Sequence, residues 1–445
     1  MKFYKLCIIG GGLAGLSLAY YLVSLGVKDI AIIEKSEAPG GLLTTKHIRG
    51  YTFDVGGSHI IFSKDKEILN EMLYILNGNY VKHRRNSKIL LDGLFIKYPF
   101  ENGLKDLPPQ KRFECLRDVI QAYINRLLGK VKEPHNFLEW MYYVFGKCIT
   151  DTYLRPYNEK LWKTDLRTIS LEWVGGRVPN PPLEDIMKSA VGLETEGYKH
   201  QLIFYYPLRG GIYALINSLI SSIKGLNLRC GEEAIRVLHD NNYNIIETSK
   251  DVIGCMYVVS TSPLNESAEM FRPILGKMSS NLRLLRAVPL VVVSLGFKGE
   301  APPYHWVYVP KEDIIFHRFA FLSNYSPYNA PKGAVSLITE ITFRDPDEAT
   351  NVSNYSIVNK VIEDLEYIGI LKNSRYVEVY DVTRWRNAYV IYDELRSKVL
   401  SEVRDTLNKY NIIVHGRFGL WEYLNMDVVF RKSKELASYL ALKLK

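Results

Sequence analysis

Long apolar runs are missing from this 445-residue chain. The longest, Val288 to Leu295 and Met256 to Val259, are strand-length and well short of the roughly 18 residues that cross a bilayer as a helix. No membrane span is expected. Cysteine is scarce: Cys7, Cys115, Cys148, Cys230 and Cys255 form no CxxC pair, and the odd count argues against a complete disulfide framework. Cys7, inside a strand, reads as a small apolar residue, none of the five is a catalytic candidate, and no metal is expected. Linkers, internal repeats and low-complexity tracts are also missing. The start, Met1-Lys2-Phe3-Tyr4-Lys5, runs straight into a strand and leaves no room for a signal peptide, so the cytoplasm is the expected location. The formal charge is +9, but lysines and arginines are dispersed among acids and the densest cluster, Lys82-His83-Arg84-Arg85, is short. No nucleic-acid partner is expected. What remains, 47% hydrophobic and 24% charged, is an ordinary globular composition long enough for two or three domains.

What the chain does have begins at once. A strand over Tyr4 to Ile9 enters Gly10-Gly11-Gly12-Leu13-Ala14-Gly15, and a second strand ends at Glu34. Gly10, Gly12 and Gly15 occupy the positions of a GxGxxG turn set between strand and helix, with the acid at the expected distance. Gly10 permits the tight turn, Gly12 lets a pyrophosphate approach the backbone, and Gly15 lets the helix pack on the sheet. The helix N-terminus offers N–H groups and partial positive charge to phosphates, and Glu34 can accept from ribose hydroxyls. A dinucleotide site is expected.

Further along, helical stretches at Lys111 to Leu128, Asn136 to Thr150 and around Tyr153 to Trp162 are punctuated by Pro99, Pro108-Pro109, Pro134 and Pro156. Runs rich in β-branched and aromatic residues fill 284 to 385, and the last segment reads helix, strand, glycine turn, helix. The fold class is α/β, α+β overall. A discontinuous Rossmann-like domain is expected over 1–75, 203–265 and 400–445, with a helical substrate-side domain at 100–202 inserted and a mainly antiparallel sheet domain at 76–99 and 266–399.

After Glu34 come Pro39-Gly40-Gly41-Leu42-Leu43-Thr44-Thr45 and Phe53-Asp54-Val55-Gly56-Gly57-Ser58-His59-Ile60-Ile61-Phe62. Nicotinamide-binding domains need no second glycine pair here. Flavoproteins that bury an FAD use such a segment to bring backbone close to the ribityl chain and ring, which points to FAD. Arg209-Gly210-Gly211 and Gly416-Arg417-Phe418-Gly419 each set an arginine among glycines, where a guanidinium can reach a phosphate bidentately.

With these blocks in view the chain resembles the UDP-galactopyranose mutase family, and its eukaryotic-type branch more than its bacterial one. The matching segments run along nearly the whole sequence: PGGLLTT, FDVGGSHIIFS, KYPFENGLKDLP, LRPYNEKLW, WVGGRVPNP, YPLRGG, WVYVP, FHRFAFLSNYSPYN, RWRNAY and GRFGLWEYLNMD. The resemblance implies an isomerase that interconverts UDP-galactopyranose and UDP-galactofuranose, a supplier of galactofuranose to cell-surface glycans. Its reduced FAD attacks the anomeric carbon through N5, UDP leaves and returns, and there is no net oxidation. It implies His59, Arg177 and Arg318 as catalytic residues, the two arginines holding the diphosphate. It implies substrate contacts at Tyr98, Phe100, Glu101, Asn158, Tyr308, Tyr325, Tyr389, Tyr423 and Asn425. For FAD it implies Gly10, Gly12, Gly15, Glu34, Gly41, Leu42, Gly57, His59, Arg209, Arg417, Asn425, Met426 and Asp427. Glu101 departs from the family's glutamine: a carboxylate accepts from the uracil N–H but cannot donate to a carbonyl.

Two other readings stay open at this stage. A redox flavoenzyme of the amine oxidase or protoporphyrinogen oxidase type would explain the FAD motifs but not arginines and tyrosines set for a diphosphate. A non-catalytic escort protein resembling the Rab GDP-dissociation inhibitors would have lost flavin altogether. The partners expected are a UDP-sugar, a flavin reductant of unknown identity and, optionally, further copies of the chain.

Overall fold

The computed structural model describes residues 1–175, 181–196 and 202–444. Two seven-stranded sheets organise it. In the first, Lys2–Ile9 lies at the centre, parallel to Ile30–Ile33 on one side and to Val252–Ser260 on the other. Asn227–Arg229 extends the Ile30–Ile33 edge, Ile412–Val414 pairs parallel with Val252–Ser260, and the antiparallel pair Ala234–Asp240 and Tyr243–Thr248 completes the sheet. Strands that come from both ends of the chain thus share one sheet. The central strands are buried on both faces, which is why they read as apolar runs rather than alternating ones. The helices Leu13–Ser24, Lys66–Ile75 and Tyr213–Ser222 and the last helix, Met426–Leu444, bury their apolar stripes in one core with that sheet.

The second sheet runs in the order Val377–Val390, Ala287–Lys298, Ala334–Thr342, Arg318–Phe321, Trp306–Tyr308, Ser87–Leu91, Leu94–Lys97. Every pair is antiparallel except Trp306–Tyr308 with Ser87–Leu91. The helical insertion comprises Pro109–Leu127, Phe137–Ile149, Arg155–Trp162 and Leu183–Ala190. The side chain of Asn136 accepts from the N–H of Glu139 and starts the second of these, and Pro156 sits in the first turn of the third, where its missing N–H is not needed.

Two features differ from the sequence reading. Cys115 and Cys148 form a disulfide that joins the first two inserted helices, while Cys7, Cys230 and Cys255 stay free. Only the side-by-side packing of those helices brings the two thiols together. The boundary expected at residue 266 also falls later. The helix Ala268–Leu275 and the stretch Gly276–Leu284 bury Phe271, Leu275 and Leu282 with Tyr4, Cys7 and Val258 of the first sheet. An amphipathic helix between two sheets can cover either one, and its sequence does not say which. Among the described residues no helix is long and apolar enough to cross a membrane.

Candidate active site

At the first glycine turn, Gly10 has φ +104, and a Cβ there would stand 2.3 Å from Thr261 Oγ1, so only glycine fits. A Cβ at Gly12, by contrast, would meet no atom within 4 Å: open space lies over the N-terminus of Leu13–Ser24, which has no side-chain cap. Glu34 closes the turn, accepting the N–H of Gly11 at 2.6 Å and of Ser36 at 2.8 Å. The second motif lies against the first, with the Gly40 N–H donating to the Gly11 carbonyl at 3.0 Å. Arg417 donates to the carbonyls of Ala388 and Leu424, but its Nε is buried without a partner, as is Oδ1 of Asp427 in the first turn of the last helix. Uncapped amides, an open cradle and two orphaned polar atoms suit an anionic dinucleotide whose other end is polar.

Beside this cradle lies a cavity of about 210 Å³ lined by Tyr98, Phe100, Glu101, Phe137, Trp140, Met141, Tyr153, Tyr157, Asn158, Trp173, Tyr308, Arg318, Tyr389 and Tyr423, among others. Arg318 is held there by a residue the sequence did not single out. The strand register sets Arg318 directly opposite Glu340, and the guanidinium donates to both carboxylate oxygens, Nε to Oε1 at 2.9 Å and Nη2 to Oε2 at 2.7 Å. Glu340, 0% exposed, also accepts the Ser58 N–H at 3.0 Å and the Tyr389 hydroxyl at 3.0 Å. Burial would raise its carboxyl; the Arg318 charge outweighs this and holds it below the usual range. One carboxylate therefore orients the pocket's cation, a pocket tyrosine and the loop that carries His59. The His59 ring pairs through Nδ1 with the Gly57 carbonyl at 3.0 Å, which can only accept, so Nδ1 carries the proton. Burial chiefly lowers His59 to about 4, so the ring is neutral and Nε2 is left as an acceptor.

Comparison with known proteins agrees with this geometry. The sequence model of the NAD(P)-binding Rossmann-like domain matches residues 8–74, and that of flavin containing amine oxidoreductase matches 182–396. A crystal structure of reduced UDP-galactopyranose mutase superposes with a TM-score of 0.88 at 27% identity, covering 99% of this chain and 94% of that one. The chain is an FAD-binding flavoprotein. Coproporphyrinogen III oxidase of Bacillus subtilis (strain 168) is 21% identical over 437 residues, 90% of each chain. Protoporphyrinogen oxidase of Dictyostelium discoideum is 23% identical over 366 residues, 66% of each.

Within the flavoprotein, most of the sequence-expected substrate residues meet at the cavity: Tyr98, Phe100, Glu101, Asn158, Tyr308, Arg318, Tyr389 and Tyr423. Tyr98 and Tyr308 have ring centroids 4.6 Å apart, and Tyr423 stacks on Tyr389 at 5.9 Å with Arg417 4.0 Å from its ring centroid. Asn158 donates to the Leu154 carbonyl at 2.7 Å and accepts from Trp162 Nε1 at 3.2 Å. Others are not brought there. Tyr325 is fully buried behind the His59 loop with its hydroxyl bonded to Ser58 Oγ at 2.6 Å, and Asn425 is exposed at the start of the last helix. Arg209, expected at FAD and not at the substrate, is exposed with its guanidinium 3.5 Å from the Tyr328 ring centroid. Arg177 lies outside the described residues.

Sequence reasoning passed over Glu340, Tyr157 and Lys160. Glu340 had a signal: a lone acid inside the apolar strand Ala334–Thr342 must find a partner. Lys160, buried, donates to the carbonyls of Val309, Lys311 and Phe316 at 3.0, 2.7 and 2.7 Å, pinning the segment that leads into Arg318.

Glu101 is 4% exposed, and burial pushes its carboxyl up to about 7. The folded state thus holds a proton that the unfolded chain releases nearer its ordinary range, so this residue's contribution to stability falls as pH rises toward 7 and stays lowest above it. Glu101→Gln is expected to stabilise the protein at pH 8 by up to about 3 kcal/mol, with the gain shrinking toward pH 5. Melting curves of both proteins across that range check this, and a gain that grows toward acid pH contradicts it.

Proposed function

We propose that this flavoprotein is an isomerase that interconverts UDP-galactopyranose and UDP-galactofuranose. The observation that carries the reading is Arg318. It is a pocket-lining cation, fixed bidentately by buried Glu340 and ringed by the hydroxyl-bearing Tyr308, Tyr389 and Tyr423. Oxidation of an amine needs no such anion site, whereas departure of a nucleoside diphosphate does. The likeness to reduced UDP-galactopyranose mutase supports the same reading. When bound, reduced FAD supplies a nucleophilic N5 for the anomeric carbon, with no net oxidation or reduction.

The chain's own residues do the rest. Arg318 binds the diphosphate, and because Glu340 fixes its orientation in advance, little reorganisation is needed as negative charge grows on the leaving oxygen. Tyr308, Tyr389 and Tyr423 add donors without adding charge. Arg177 is proposed as the second diphosphate cation. Neutral His59, with Nε2 free to accept, is proposed to face the cofactor. Gly10, Gly12, Gly15, Glu34, Gly41, Leu42, Gly57, Arg417, Met426 and Asp427 are proposed to hold FAD.

The amine oxidoreductase match and the coproporphyrinogen oxidase relative favour a second reading, a redox flavoenzyme. One assay separates the two. Dithionite-reduced protein is expected to equilibrate the two UDP-sugars under anaerobic conditions, and oxidised protein to be inactive. Equal activity in both states, or none after reduction, rejects the isomerase.

A further inference from the structure

We propose that the turn joining the first two inserted helices docks on a lipid bilayer with anionic headgroups, a role separate from the isomerase reading and independent of it. The helix Pro109–Leu127 buries Cys115 and Val119 but keeps Phe113, Ile124 and Leu127 on its outside, and the exposed apolar set continues past the helix end into Leu128 and Val131. Leu127 is 70% exposed, Leu128 60% and Val131 40%. Single exposed apolar side chains are ordinary, but a group of them gathered on one turn marks a contact surface.

The backbone holds these side chains outward. Gly129, at φ +61, ends the helix: its N–H donates to the Arg126 carbonyl at 3.0 Å, and the Lys130 N–H donates to that of Asn125 at 2.9 Å. Helix ends of this kind often close with an apolar residue folded back on the last turn, at the position that Lys130 occupies here. Both sides of the turn are tied to the second helix. Arg126 donates to the carbonyls of Tyr143 and Val144, Glu133 accepts the Tyr143 hydroxyl at 2.8 Å, and the Cys115–Cys148 disulfide joins the same two helices. The leucines are presented to the outside by a fixed frame.

Charge decides what the tip meets. The cations of the two helices are engaged: Lys111 pairs with Glu114, Arg117 with Asp118 and Lys147 with Asp151, while Arg112 donates to the Leu107 carbonyl at 3.0 Å and Arg126 to its own two carbonyls. Lys130 and Lys132 are exposed, and among the described residues no carboxylate pairs with either. Glu133, the acid beside them, is taken by Tyr143. The run Leu127-Leu128-Gly129-Lys130-Val131-Lys132 thus sets three apolar side chains among two free ammonium groups. That combination fits the boundary of a bilayer, where leucines enter the acyl layer while lysine stems lie along it and reach phosphate oxygens. A second copy of the chain meeting the same tip across a two-fold axis would set lysines against lysines.

The test is co-sedimentation of the FAD-loaded protein with vesicles of phosphatidylcholine alone and of phosphatidylcholine mixed with phosphatidylglycerol. Wild type is expected to bind the mixed vesicles and to be released as salt rises. The double variant Lys130→Gln with Lys132→Gln should bind them about 30-fold more weakly, as two lost headgroup contacts require. Leu127→Ser with Leu128→Ser should bind about tenfold more weakly or less well still. The lysine variant changes exposed side chains alone, so it decides the matter even where the leucine variant folds poorly. No binding of wild type to the mixed vesicles, equal binding to both kinds of vesicle, or unchanged binding in the lysine variant overturns the proposal. So does a concentration-dependent dimer, seen by sedimentation velocity without vesicles, that Leu127→Ser with Leu128→Ser abolishes, because the tip would then be covered by a second copy.

Discussion

Arg318→Ala is expected to lower kcat/KM for the UDP-sugar about 1,000-fold, close to 4 kcal/mol of transition-state stabilisation. The size follows from where the guanidinium sits. It is bonded at both carboxylate oxygens of a fully buried glutamate and faces a pocket whose other polar groups are neutral tyrosines, an asparagine and one buried acid. Removing it deletes the described pocket's cation and leaves Glu340 buried with no guanidinium, so the carboxyl should rise and the variant should lose stability as pH increases. Arg318→Lys is expected to recover only part of the rate, because an ammonium cannot make the paired bonds that fix direction as well as charge. Steady-state kinetics on reduced protein with full flavin content provides the check. Turnover within about threefold of wild type in Arg318→Ala would remove the role given to this residue.

Glu340→Ala should be the most destabilising single change in the site, by about 3–5 kcal/mol, because it strands a guanidinium that has already given up most of its water. It also withdraws the acceptor used by Ser58 N–H and the Tyr389 hydroxyl. A separate prediction distinguishes stability from function. The double variant Arg318→Met with Glu340→Leu replaces the ion pair by apolar groups of similar size, and is expected to regain most of the lost stability while staying inactive. Denaturation midpoints and activity of the two single variants and the double variant decide the matter. Unchanged stability in Glu340→Ala, or activity in the double variant, would show that the pair does not organise the pocket.

Much of this protein is legible one segment at a time. The turn at Gly10, Gly12 and Gly15 is local: one backbone conformation and one open approach to the helix N-terminus, both consequences of missing side chains. The inserted helices announce themselves through apolar periodicity and the prolines that bound them, and their observed spans, Pro109–Leu127 and Phe137–Ile149, lie within a few residues of the expected ones. The strands of the second sheet show in their β-branched runs. Pairings across space are another matter. Cys115 and Cys148 come from different helices, and the helix Ala268–Leu275 carries no mark of which sheet it will cover. Tyr325 looks like Tyr308 and Tyr389 in composition and context, yet the turn after Phe321 drives it behind the Ser58 loop.

By itself, then, the amino-acid sequence determined the glycine turn and the kinds of element around it, because glycine placement and side-chain periodicity act over a few residues. Only the tertiary structure decided which charges meet. Arg318 and Glu340 face each other because two antiparallel strands fall into one register, and Glu101 is buried at the edge of an aromatic-lined cavity that distant segments assemble. Register and burial are properties of the assembled core, and no local stretch of sequence carries either.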